Sequence, residues 1–104
     1  MKSPDFSRSD RLQDQIKREL SKILREKVKD PRVFGLTLTR VELSEDKKKA
    51  FIFFSPQNSF NDIPKEQMHE GLKKAKGFIR GSLSANLSLK FTPDLVFSEE
   101  DNHF

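Results

Sequence analysis

"GLKKAKGFIRGSLSANL", residues Gly71 to Leu87, is the stretch on which the fold turns. Its apolar residues keep helical time. With Met68 before them, Leu72, Ala75, Ile79, Leu83 and Leu87 recur every three or four positions. Yet glycine stands at 71, 77 and 81, and each interior glycine costs a helix about 1 kcal/mol relative to alanine. One straight helix from Pro64 to Leu87 would be about 36 Å long, whereas a domain of this size has a radius of gyration of about 13 Å. The run is therefore predicted to bend. Ala75-Lys76-Gly77 is where bending costs least, which divides the run into two helices.

Working outward, Leu12, Ile16, Leu20, Ile23, Leu24 and Val28 form a second 3.6-residue stripe, surrounded by Arg11, Lys17, Arg18, Lys22 and Arg25. Ser9 or Asp10 can cap its start, and Asp30-Pro31 stops it. "VFGLTLTRVEL" follows, where Phe34, Leu36 and Leu38 alternate before the apolar phase flips to Val41 and Leu43. A one-residue phase change within a strand indicates a bulge or a strand end. "SEDKKK" is a turn and "AFIFFS" a second strand, which together predict an antiparallel hairpin. After the loop "PQNSFNDIP" and the glycine-bearing run, "SLKFTPDLVFS" supplies a third strand, with Pro93 favouring an edge or an irregular start. The predicted order is α-β-β-α-α-β.

Length and composition bound what such a chain does. The 104 residues suit one domain, read as spanning 1–104, and Leu, Ile, Val and Phe make up 30 of them, enough for a modest core. Residues 1–91 hold 20 Lys/Arg against 12 Asp/Glu, a net +8, while residues 92–104 hold four acids and no base. A basic body suits a polyanion, most commonly nucleic acid. There is no cysteine, which excludes disulfide and thiolate chemistry. No apolar run resembles a signal peptide or a membrane span, so a cytoplasmic protein is expected.

The order of elements and several short phrases resemble the ribosome-binding factor A family. The resemblance rests on "RLQDQIKREL" in the first helix, "VKDPRV" before the first strand and "VELSEDKKKAFIFFS" across the hairpin. "KAKGFIRGSL" followed by "LKFTPDLVF" completes it. It implies an α+β, single-domain, type II KH-like fold with a three-stranded sheet. Such domains ordinarily join two helices by a Gly-x-x-Gly loop that holds a nucleic-acid backbone. Here three residues separate Gly77 from Gly81, and the family's Ala-x-Gly bend is matched by Ala75 and Gly77 as an interhelical kink. The resemblance further implies a monomeric, non-enzymatic factor that binds the small (30S) ribosomal subunit and its ribosomal RNA during late maturation. It also implies help in processing the 5′ end of 16S ribosomal RNA, and a need for the protein in cold adaptation. A general nucleic-acid-binding module and a protein–protein adaptor are the alternatives.

With the usual clamp missing, contact with folded RNA is expected to fall on the basic residues flanking the bend. These are Lys73, Lys74, Lys76, Arg80 and Lys90, of which Lys73, Lys76 and Arg80 are spaced to share a helix face. Lys47, Lys48 and Lys49 add a basic hairpin tip, and Arg8 and Arg11 are further candidates. Phe51, Phe53 and Phe54 are assigned to the core, since the chain has no Tyr or Trp to supply bulk.

Nothing resembles catalytic machinery. No carboxylate pair is spaced for acid–base work, no Ser–His–Asp set is supported, and no GxxxxGK loop is present. His69 reads as a surface residue. Glu99, Glu100, Asp101 and His103 fall in a segment, 98–104, read as a frayed acidic tail rather than a metal site. No metal, cofactor, membrane or small-molecule substrate is expected.

Overall fold

The computed structural model describes residues 8–33, 36–55 and 63–100. Helix α1 (Arg8–Glu26) lays Ile16, Leu20, Ile23 and Leu24 into the core, the stripe anticipated from sequence. Asp10 lies within its first turn. A 3-10 turn (Pro31–Val33) leads to strand β1 (Thr37–Leu43), which pairs antiparallel with β2 (Lys49–Ser55). Phe34 lies outside the described residues, and Leu36 precedes the strand. Helix α2 (Lys65–Leu87) then crosses to β3 (Asp94–Glu99), which runs parallel to β2. The sheet order is β1-β2-β3, so the hairpin's second strand is central. Pro93 stands immediately before β3, so the strand begins at Asp94 rather than at Ser88 as expected, and it lies at an edge of the sheet.

The phase change in β1 is a bulge. Leu38 pairs with Phe54 and Arg40 with Phe53, leaving Thr39 as the extra residue, its hydroxyl oxygen 3.2 Å from the carbonyl oxygen of Phe53. The bulge lets Leu38 and Val41 both turn to the core without breaking the ladder.

Both helices pack on one face of the sheet. The core joins the α1 stripe to Met68, Leu72, Ile79 and Leu83 of α2 and to Ala50, Ile52, Phe54 and Leu95 of the sheet. Each fully buried large side chain contributes roughly 1.5–3 kcal/mol of burial free energy. Grouping the three phenylalanines of β2 as core was wrong for two of them. Phe54 is buried, but Phe51 and Phe53 are only half-buried. Strand alternation turns them to the opposite face, where the Arg40 guanidinium lies 3.9 Å from the Phe53 ring centre.

The division of the 64–87 run into two helices is also corrected. Residues 65–87 are one continuous helix of 23 residues, and Ala75 and Gly77 lie in its middle. The molecule accommodates its length, about 34 Å, because it is elongated, with extents of 45 × 36 × 21 Å. A radius of gyration is a root-mean-square distance and sets no limit on one element's length. Pro64 caps the helix start, its carbonyl accepting from Gln67 and Met68. Ser88, at φ 52°, ends it in the left-handed conformation.

The frayed-tail assignment for 98–104 fails over its first three residues. Ser98 and Glu99 belong to β3, and the Glu100 N–H donates to the Phe54 carbonyl at 2.8 Å. The Glu100 carboxylate accepts from the Thr39 hydroxyl and from Arg40 Nε, the latter at 2.9 Å, and Glu99 pairs with Lys65 at 3.2 Å. Sheet pairing and these cationic partners offset the cost of fixing a chain end. Residues 101–104 lie outside the described residues.

Candidate nucleic-acid interface

Gly77, expected to permit a bend, lies within continuous helix. Neither Gly77 nor Gly81 meets anything within 4 Å of where a Cβ would stand, and neither has a left-handed backbone. Gly71 is the buried one. A Cβ there would sit 3.0 Å from Arg32 Cβ and 3.1 Å from Val33 Cγ1. The 3-10 turn thus packs against α2 at its one side-chain-free position on the buried stripe.

That turn is built by its own acid–base pair. The Asp30 carboxylate accepts from the Arg32 backbone N–H at 2.9 Å and from Arg32 Nη2 at 2.7 Å. Side-chain and backbone hydrogen bonds from Arg32 pull the Asp30 pKa down to about 2.

The ten basic residues marked out from sequence separate into two groups. Lys76 and Arg80 are partly buried and satisfied within the chain. Lys76 pairs with Asp94 at 3.1 Å, lowering the pKa of that carboxyl. Arg80 donates to the carbonyls of Pro93 at 3.0 Å and Thr92 at 2.9 Å, holding the link into β3. Arg8, Arg11, Lys47, Lys48, Lys49, Lys73, Lys74 and Lys90 are exposed. None of these eight has a carboxylate at ion-pair distance among the described residues. Of the three residues spaced to share a helix face, Lys76 and Arg80 are thus engaged within the chain, while Lys73, like its neighbour Lys74, has no such partner among the described residues.

The hairpin turn is held by Asp46, whose carboxylate accepts from the Ser44 hydroxyl at 2.7 Å and the Lys48 N–H at 3.0 Å. These bonds lower its pKa, the Ser44 hydroxyl first. Lys47 there adopts φ 60°, a left-handed backbone that a non-glycine residue takes at a cost. The Asp94 N–H donates to the Lys48 carbonyl at 2.9 Å, which brings the hairpin tip against the entry to β3 and so against Lys90. Lys47, Lys48 and Lys90, distant in sequence, rim one surface cavity. Sequence reasoning passed over Phe91, which lies beside that cavity and is 77% exposed. Its signal was an aromatic residue falling outside every periodic stripe. Among the described residues no group of three His, Asp or Glu could hold a metal ion, and no helix is long and apolar enough to cross a membrane.

Comparison with known proteins shows the family. Residues 8–103 match the family model for ribosome-binding factor A. Ribosome-binding factor A of Syntrophus aciditrophicus is 41% identical, covering 93% of this chain and 77% of that protein. The solution structure of a Thermotoga maritima protein described as a putative ribosome binding factor A superposes with a TM-score of 0.78 at 30% identity. It covers 98% of this chain and 95% of that one. A Thermus thermophilus ribosome binding factor A, fitted as a homology model into a cryo-electron-microscopy map of its 30S complex, gives a TM-score of 0.69. Its identity is 26%, over 85% of this chain and 90% of that one. The chain belongs to the ribosome-binding factor A family.

Proposed function

We propose that the protein is a non-catalytic assembly factor that binds the small ribosomal subunit by contacting its folded RNA. One observation carries this reading: among the described residues these eight exposed cationic side chains, like Lys17, Lys22, Lys27 and Lys29, stand without a carboxylate at ion-pair distance, against six cations that are paired. Unpaired surface lysines contribute nothing to packing, whereas each phosphate they meet releases a counterion. The Thermus thermophilus relative's 30S complex supports the choice of partner. A rigid module acts on assembly only by binding one RNA arrangement better than its competitors. Assistance to 5′-end processing of 16S ribosomal RNA, importance in the cold, cytoplasmic location and action as a monomer belong to the same reading.

Co-sedimentation with purified subunits tests it. Binding to small but not large subunits is expected, with affinity falling roughly a hundredfold between 50 and 200 mM salt if about four phosphates are met. A Lys73→Glu, Lys74→Glu variant should bind more weakly and with a shallower salt slope at unchanged stability. Equal binding to every polyanion would instead make the protein a general nucleic-acid module, and no binding would leave the adaptor reading. Accumulation of 5′-extended 16S precursor in cells lacking the protein, most at low temperature, tests the remaining terms.

A further inference from the structure

The cavity at the hairpin-tip end has a volume of about 430 Å³ and opens to the surface. That lies within the range of sites that hold small molecules or single chemical groups. Leu12, Leu43, Leu89 and Pro93 give it an apolar wall drawn from α1, β1 and the α2–β3 connection. Its rim carries Lys47, Lys48 and Lys90 against one acid, Asp46, which is held within the turn. Its lip carries Phe91, whose ring has the Lys90 ammonium 6.0 Å from its centre. Both sides are anchored, by Arg80 on the Thr92 and Pro93 carbonyls and by the Asp94 N–H on the Lys48 carbonyl. An apolar slot, an uncovered aromatic face and three cations together match a flat π-system attached to a phosphate. A base within a duplex cannot present that face, because its neighbours cover it.

We propose that this cavity receives one unpaired nucleotide of an otherwise folded RNA, its base stacked on Phe91 and its phosphates met by Lys47, Lys48 and Lys90. The inference rests on the RNA-binding reading above and adds a position at which the protein distinguishes unpaired from paired RNA. It also accounts for a lysine at the left-handed position 47, where glycine would be the cheaper residue for the turn.

The probe is an RNA hairpin carrying one bulged 2-aminopurine, compared with the same hairpin in which that base is paired. Wild-type protein should bind the bulged hairpin about 5- to 140-fold more tightly, the range of one base–aromatic stack, and should change the fluorescence of the bulged base. Phe91→Ala should erase the preference and the fluorescence change while retaining wild-type affinity for the paired hairpin. Its melting temperature should hold, since the ring supports no packing. Phe78→Ala, a second exposed phenylalanine (53%) on α2, should leave the preference intact. Lys90→Gln should keep the fluorescence change but lower the salt slope by about 0.7–0.9. The proposal is overturned if wild type shows no preference for the bulge, if it binds neither hairpin, or if the preference survives in Phe91→Ala. Small-subunit binding that persists without a bulge preference would remove the cavity assignment alone. Loss of small-subunit binding by wild-type protein would remove the proposed function itself.

Discussion

Three alanine substitutions in one helix should differ in sign. At Gly77 and Gly81 a Cβ enters open space in ordinary helix. Gly77→Ala and Gly81→Ala should therefore each stabilise the fold by up to about 1 kcal/mol, by lowering the backbone entropy of the unfolded chain. At Gly71 the same gain is opposed by contacts at 3.0 Å to Arg32 Cβ and 3.1 Å to Val33 Cγ1. Neither neighbour is free to give. Val33 is buried in the core, and Arg32 is fixed through its backbone and guanidinium bonds to Asp30. Overpacking of this kind costs about 1–3 kcal/mol. Subtracting the helix gain leaves a net loss of about 1 kcal/mol. For a domain of this size, each kcal/mol moves the melting temperature by about 4–8 °C, so Gly71→Ala should fall below wild type as Gly77→Ala and Gly81→Ala rise above it. Urea melts followed by circular dichroism give the same ordering through their midpoints, with slopes unchanged. Gly71→Ala melting at or above wild type would show that the 3-10 turn yields. Gly77→Ala melting below it would show that the middle of α2 is not ordinary helix.

Arg80→Ala should lose about 1–3 kcal/mol in chemical denaturation, because two charge-assisted bonds to the Thr92 and Pro93 carbonyls disappear; a neutral result would assign Arg80 to solvent. Asp30 titrates near 2 when folded against an ordinary 3.8, so the unfolded chain binds more protons between those values. The stability it contributes is full above about pH 4 and is lost as pH falls toward 2. Asp30→Asn should accordingly flatten acid destabilisation in that window, as measured by melts from pH 5 to pH 2. Truncation after Ser98 removes Glu99 and Glu100 together with their bonds to Lys65, Thr39, Arg40 and Phe54. A loss of roughly 1–3 kcal/mol is expected, and an unchanged melting temperature would return residues 98–100 to the status of a loose end.

Periodicity and phase alone determine much of this molecule. The α1 stripe, the antiparallel hairpin, the bulge at Thr39 and the proline that precedes β3 are local features, each written in a few adjacent residues. The roles of the α2 glycines were legible too. Gly71 lies three residues after Met68 and beside Leu72, on the apolar stripe, whereas Gly77 and Gly81 fall off it. Glycine cost was read there as a reason to break the helix, but burial of Leu72, Ile79 and Leu83 outweighs a penalty of about 1 kcal/mol per glycine. Strand alternation likewise separates Phe51 and Phe53 from Phe54, but only tertiary structure decides that the helices cover one face of the sheet.

The candidate interface was legible as charge and illegible as geometry. Lys73, Lys74, Lys76 and Arg80 are equivalent as letters within a helix. What separates them is the return of the chain at residues 92–94, which brings two carbonyls and the Asp94 carboxylate to Arg80 and Lys76 and none to Lys73 or Lys74. Lys47 and Lys90 become neighbours only because β3 runs parallel to β2 and begins beside the hairpin tip. Local propensity acts over a helical turn or a strand, so it sets which elements form. Which cations are spent on holding the fold, and which remain for a partner, depends on groups 12 or more residues away that only packing brings together.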